Sequence, residues 1–275
     1  MTSAPIIVCA DDFALDSGVS TAIAQLAEQG RISATSAMSL SPHWPEHARW
    51  LKPLSPHIDV GLHLDWTSPF AISAGHGCSL PQLMQHTLTG QLDRQQAQAV
   101  IEAQLDRFEA CWGAPPAHVD GHQHIHQFPI LREALVQSLA TRYPTGVRPW
   151  LRISRPLAPG IDIKSWVIRG MGARALQQQA RQARLPHASW LTGIYDFAGD
   201  IAAYEARMNT WLAQARGHQG AVLMCHPGHD VGNTGDEIRA ARSVEFSFLS
   251  SAAFTTMLAQ HRWHPAQGLP ALNTA

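Results

Sequence analysis

No apolar run in this sequence approaches the roughly 20 residues that a bilayer-spanning helix needs. No C-x-x-C pair occurs either. Cys9, Cys78, Cys111 and Cys225 stand far apart, which argues against both a disulfide framework and a zinc knuckle. Cys9 and Cys225 lie inside apolar runs and read as small buried strand residues. An excess of one charge is missing too: 20 Lys and Arg stand against 21 Asp and Glu, so nothing points to a polyanion such as nucleic acid. The opening "MTSAPIIVCADDF" has no basic stretch ahead of its apolar run, so a secretory leader is not expected and a cytoplasmic protein is. Ser/Gly tracts, charge blocks and internal repeats are absent. Without a linker signal, the expectation is one domain over residues 1–275.

What the chain does have is histidine, 16 of them in 275 residues. The stretch "HVDGHQHIHQFP", residues 118 to 129, holds four histidines and an aspartate. Around it, short apolar runs alternate with amphipathic ones. Strands are expected in "PIIVCA" (5–10), "ISATSAMSL" (32–40), "HIDVGLHL" (57–64), "AHVDGHQH", "GVRPWLRIS" (146–154), "SWLTGIYDF" and "GAVLMCHPG" (220–228). Helices are expected between them. The clearest is "DRQQAQAVIEAQLDRFEACWG" (93–113), with Ala97, Ile101, Leu105 and Phe108 on one face and Gly113 as its stop. Residues 65 to 90 read as a long polar loop, "EFSFLSSAAFTTMLAQH" as one closing helix, and "HPAQGLPALNTA" as a loosely held tail. Strand–helix alternation over this length predicts an α/β fold, a single-domain, distorted β/α barrel of mostly parallel strands with outer helices.

Four expected strands end in ionisable residues. "VCADD" delivers Asp11 and Asp12, "VGLH" delivers His63, "VDGH" delivers Asp120 and His122, and "LMCH" delivers His226. In a β/α barrel the carboxyl ends of the strands share one mouth, so these side chains are expected to converge. One carboxylate and two imidazoles make a mononuclear hydrolytic metal site, which Asp12, His63 and His122 supply. Strand alternation points Asp11 away from Asp12, where a carboxylate near the ion but not on it suits a general base. His226 suits a proton donor to the leaving group. Each residue also has an ordinary structural use. Asp-Asp suits capping of the next helix, His63 a hydrogen-bonded core position, and His226 the bracing of a Pro-Gly turn.

Taken together, "ADDF", "GLHL", "HVDGHQHIH", "CHPG" and "RSVEFSFL", in this order over residues 6 to about 250, resemble the YdjC-like family. That family includes chitooligosaccharide deacetylases and a hopanoid-biosynthesis-associated branch. The resemblance implies a barrel-like fold, one divalent metal ion and hydrolysis of an N-acetyl group on an amino sugar or small glycoconjugate. It matches Asp11 to the base, Asp12, His63 and His122 to the metal ligands, and His226 to the acid. Two positions depart from the family pattern: Ala14 replaces the glycine of A-D-D-F-G, and Ser20 stands where an asparagine is common. The family is described with magnesium, whereas two imidazoles suit zinc better.

Asp120, His124, His126, Trp66 and Arg152 are the substrate-binding candidates. Trp66 and Phe70 suit stacking on a sugar, and Arg152 suits an anionic group or an acyl oxygen. Asp120 also suits holding a ring nitrogen of His226 or of a ligand. Arg242 and Glu245 read as a structural pair at a helix start. Competing readings are a phosphoesterase or amidohydrolase on the same barrel, and a non-catalytic sugar-binding protein. The acetylated substrate, the working metal and the presence of a homo-oligomer are not legible in the sequence.

Overall fold

A computed structural model describes residues 3–146, 148–157, 172–218 and 220–269. Val147 of the fifth expected strand, Met171, the first residue of an expected helix "MGARALQQQARQARL", and residues 270–275 of the tail lie outside these. The first strand, β1 (Ala4–Phe13), is buried from Ile6 onward and lies inside the sheet, with a neighbour on each side. A continuous apolar run suits a strand covered on both faces. β2 (Ala34–Ala37), β3 (Asp59–Leu64), β4 (His118–Gly121) and β5 (Trp150–Arg152) follow on one side of β1, each parallel to its neighbour. On the other side β8 (Ala221–Cys225) pairs with β1, again in parallel.

One short segment closes the circuit. β6 (His187–Ala188) pairs with β5, and β7 (Trp190–Thr192), beyond Ser189, pairs with β8. The sheet is therefore a nearly closed parallel barrel, as the strand–helix alternation predicts. All the strand ends that carry acids and histidines open on one mouth.

The helices lie outside, with caps that explain their limits. α1 (Ser17–Glu28) starts where Asp16 accepts from the Val19 amide at 2.9 Å. Asp16, not the Asp11–Asp12 pair, caps this helix. α2 (Trp44–Leu51) follows β2. α5 (Arg94–Trp112) buries Ala97, Ile101, Leu105 and Phe108 and ends at Gly113 with φ 85°, the left-handed conformation glycine adopts at no steric cost. α6 (Leu131–Arg142), α7 (Ala173–Gln182) and α8 (Ile201–Gln214) cover the later strands.

Three expectations are corrected. Residues 65 to 90 hold two helices, α3 (Pro69–Ser73) and α4 (Leu80–Leu88). Ser68 accepts from the Phe70 and Ala71 amides, while the Ser79 amide and hydroxyl both donate to Gln82 Oε1, at 3.1 and 2.9 Å, and Pro stands in the first turn of each helix. The closing helix is two, α9 (Arg239–Leu249) and α10 (Ala252–His261), broken at Ser250 and Ser251. The tail is not loose up to Leu269. β9 (Trp263–Pro265) pairs in parallel with the start of β1, the Gly268 amide donates to Asp59 at 2.7 Å, and Leu269 is buried. No helix among the described residues is long and apolar enough to cross a membrane.

Candidate metal centre

The end of β1 is not a regular strand. Its register with β2 shifts between Ala10 and Phe13, and Asp12 has φ 69°. A bulge of this kind re-aims side chains. Here it cancels the alternation expected of extended chain and turns both carboxylates into the mouth. Asp12 Oδ1 lies 3.3 Å from His63 Nε2 and 3.2 Å from His122 Nδ1. Asp11 Oδ2 lies 3.9 Å from His226 Nε2. Three strand ends thus bring Asp12, His63 and His122 within 4.8 Å of one another.

The donor atoms fit a divalent ion. Ligand bonds of about 2.0–2.1 Å in a tetrahedral site separate donor atoms by about 3.3–3.4 Å. Two of the three candidate ligands are also held from behind. Asp120 Oδ1 is 2.6 Å from His63 Nδ1, which leaves Nε2 turned toward Asp12. Arg242 Nη2 donates to Asp12 Oδ2 at 2.8 Å, and its Nε donates to Asp236 at 2.7 Å. Only Oδ1 of Asp12 faces the two imidazoles. The His122 side chain keeps 23% of its surface exposed, against 3% for His63 and 2% for Asp12, so the cluster opens outward on that side.

Charge points the same way. Asp11, Asp12 and Asp120 are 1% exposed or less, and the guanidiniums in contact with them among the described residues are Arg152 and Arg242. Buried charge needs a partner. Burial opposes a proton on His63, but Asp120 and the hydrogen bonds to Asp12 and Asp120 outweigh it and push its pKa up to about 10. Burial likewise raises the pKa of Asp12, yet Arg242 and the two imidazoles bring it well below the usual carboxylate range. The surroundings therefore favour positive charge on His63, between Asp120 and Asp12.

Two deeper groups, Cys9–His118–Asp120 and Asp11–His63–Asp120, also bring donors close. Both use Asp120, whose Oδ2 already accepts from Ser36 at 2.6 Å and Arg152 at 3.0 Å. A cation there would sit against the Arg152 guanidinium, so these groups are read as hydrogen-bonded core. Gly61 belongs to that core: a Cβ on it would come within 2.4 Å of the His118 ring, which stacks on Trp150.

The substrate-binding expectations fare differently. Arg152 is fully buried and grips Asp11 through two bonds of 2.6 and 2.7 Å. Asp120 is equally buried beneath His63. His126 is sealed, its Nε2 bonded to the Arg152 carbonyl at 2.8 Å. Trp66, 1% exposed, is a core residue whose ring meets His76. None of these four offers a surface to a sugar. His124 is buried with Nδ1 on Ser154 Oγ at 3.0 Å, beyond a turn in which Gln123 and His124 both have positive φ, 53° and 61°. That turn ends the face-sharing of His122, His124 and His126.

Arg242 and Glu245 do not pair with each other. Glu245 accepts from the hydroxyls of Tyr195 (2.7 Å) and Tyr204 (3.2 Å) and from the His226 amide (2.6 Å), and lies 4.0 Å from His226 Nδ1. Burial lowers the pKa of His226, with Glu245 and Asp11 acting in the opposite sense. The ring therefore rests neutral, not as the imidazolium a proton donor first suggests.

Comparison with known proteins follows the same lines. A family model described as YdjC-like protein matches residues 5–260. A chitooligosaccharide deacetylase of Proteus mirabilis (strain HI4320) is 27% identical over 231 residues, covering 81% of this chain and 80% of that protein. Another of the same description, from Klebsiella pneumoniae (strain 342), is 26% identical over 261 residues, covering 92% and 94%. Among solved structures, an Enterococcus faecalis V583 protein named for cellobiose-phosphate cleavage superposes with a TM-score of 0.72. It covers 97% of this chain and 98% of its own at 17% identity, a likeness of fold.

Proposed function

The chain belongs to the YdjC-like family, and from that premise we propose that it is a metal-dependent hydrolase that removes the N-acetyl group from an amino sugar. The observation that carries the reading is the meeting of Asp11, Asp12, His63, His122 and His226 at one barrel mouth. The names of its relatives make a chitooligosaccharide the first substrate to try.

Asp12, His63 and His122 would hold the ion, zinc by its imidazole ligands or magnesium by family habit. When bound there, a divalent ion polarises the acetyl carbonyl and makes water easier to deprotonate. The protein's own groups do the rest. Asp11, oriented through both oxygens by Arg152, takes a proton from water as the water oxygen bonds to the amide carbon. His226 Nε2, 3.9 Å from Asp11 Oδ2, is placed to receive that proton. It passes it to the amide nitrogen as the C–N bond breaks, leaving acetate and a free amine. Glu245, beside Nδ1, steadies the ring in its charged form. Asp120 fixes His63 from below and links it, through Arg152, to Asp11.

The test is acetate release from N,N′-diacetylchitobiose by the wild type, Asp11→Asn and His226→Ala with an added divalent ion. Each substitution should lower turnover by about a hundredfold or more. Near-wild-type turnover in either variant would remove that residue from its role.

A further inference from the structure

The loop beyond β7 holds an aromatic residue in a conformation that bulky side chains avoid. Phe197 has φ 61°, in the left-handed region where Cβ crowds its own backbone. Such outliers persist where the surroundings impose them, and they gather at ligand-contacting positions. Here the surroundings are specific. Gly193 has φ 92°, and a Cβ on it would come within 2.1 Å of the Met224 carbonyl oxygen, so the chain leaves β7 pressed against β8. The Ala198 amide donates to Asp196 at 3.2 Å, while Arg207 donates to the Ala198 carbonyl at 2.5 Å and to Asp196 at 3.3 Å. Arg207 also lies over the Tyr195 ring, 5.1 Å from its centre.

This bracing sets the half-buried Phe197 ring edge-to-face with His226, centroids 5.2 Å apart at 84°, and 4.9 Å from the Tyr195 ring. Of the two aromatics that the sequence offered for stacking, Trp66 is buried in the core and Phe70 is half-buried on α3. Phe197, half-buried and packed against the core, instead lies beside His226, the group proposed to meet the leaving nitrogen.

We propose that Phe197 is the platform for the sugar ring that bears the acetamido group, and so selects pyranose substrates over open-chain N-acetyl amines. The inference rests on the deacetylase reading and adds its specificity-determining contact. The apolar C–H face of a pyranose complements the electron-rich face of an aromatic ring. Packing there would hold the amide nitrogen against His226 Nε2, which an open-chain amine could not match.

The experiment compares wild type, Phe197→Ala, Phe197→Leu and Phe197→Trp with N,N′-diacetylchitobiose, by titration calorimetry and by acetate release. The Ala and Leu variants should weaken Kd and raise KM by about tenfold or more, while kcat keeps most of its value. The Trp variant should recover the affinity. Leu keeps apolar bulk without an aromatic face, so it decides the matter should Ala fail to fold. Unchanged Kd and KM, or a loss confined to kcat, would overturn the proposal. If the wild type binds the disaccharide without releasing acetate, the deacetylase reading fails and Kd still judges Phe197. If the wild type does not bind it, both fall.

Discussion

Arg152 holds Asp11 by both carboxylate oxygens, Nη1 at 2.6 Å from Oδ1 and Nη2 at 2.7 Å from Oδ2, and Nη1 also reaches Asp120 at 3.0 Å. All three groups are buried. Arg152→Met would therefore strand two carboxylates in the barrel interior. Removing one partner of a buried ion pair costs about 3–5 kcal/mol, so urea denaturation should show a loss of that size. Arg152→Lys keeps the charge but not the planar fork, and should fall between the two. A loss typical of a surface position would show that Arg152 does not hold this centre together.

Ion binding should release a proton. With its pKa pushed up to about 10, His63 carries a proton at neutral pH in the ion-free protein, and a ligand imidazole must be neutral. The sign follows: below pH 10 the proton competes with the ion, so apparent affinity should rise with pH by about tenfold per unit. Zinc titrations at pH 6 to 8, in buffers of different ionisation enthalpy, measure both the affinity and the proton count. Affinity independent of pH would contradict the His63 assignment.

Glu245→Gln should act on rate and not on metal. The carboxylate accepts from two tyrosines and the His226 amide, and lies 4.0 Å from His226 Nδ1. Its neutral analogue keeps hydrogen-bonding atoms but removes the charge that favours protonated His226. We expect kcat to fall about ten- to hundredfold, short of the loss expected for His226→Ala. KM and bound metal should hold. A fall in metal content instead would place Glu245 in support of the ligands.

Ala14→Gly should not destabilise the protein, although it removes a buried methyl group. Ala14 has φ 72°, which costs a non-glycine residue about 1–2 kcal/mol, against about 0.8 kcal/mol for the methyl. The net gain should be about 0.2–1.2 kcal/mol, seen as a small rise in Tm. Ser20 would keep the turn in place, because its hydroxyl accepts from the Ala14 amide at 3.0 Å and meets His47 at 2.8 Å. A marked fall in Tm would show that the methyl packs more than the turn strains.

Much of this was legible in order and spacing. Apolar runs ending in Asp11–Asp12, His63, His122 and His226 foretold a barrel and a shared mouth, because parallel strands leave their carboxyl ends together. Detail that depends on backbone torsion was not. Period-two alternation separated Asp11 from Asp12, and only φ 69° at Asp12 reunites them. Arg152, Asp120 and Trp66 looked suited to a substrate because a sequence does not show depth, and depth turned them into scaffold and core. Arg242 and Glu245 looked paired at helical spacing, yet each reaches outward from α9, one to Asp12 and the other to His226. The caps at Ser68 and Ser79 were readable, but a polar, glycine-containing stretch hid two short helices behind a loop-like composition. Phe197 carried no signal at all, since its place follows from Gly193 and Arg207 packing elsewhere.

The central claim is that Asp12, His63 and His122 share one cation. An anomalous-difference map from a zinc-soaked crystal tests it most directly. The account predicts one strong peak about 2.0–2.2 Å from Asp12 Oδ1, His63 Nε2 and His122 Nδ1, lost in His63→Ala. A peak among Cys9, His118 and Asp120, or no peak at the mouth at full zinc occupancy elsewhere, would contradict it.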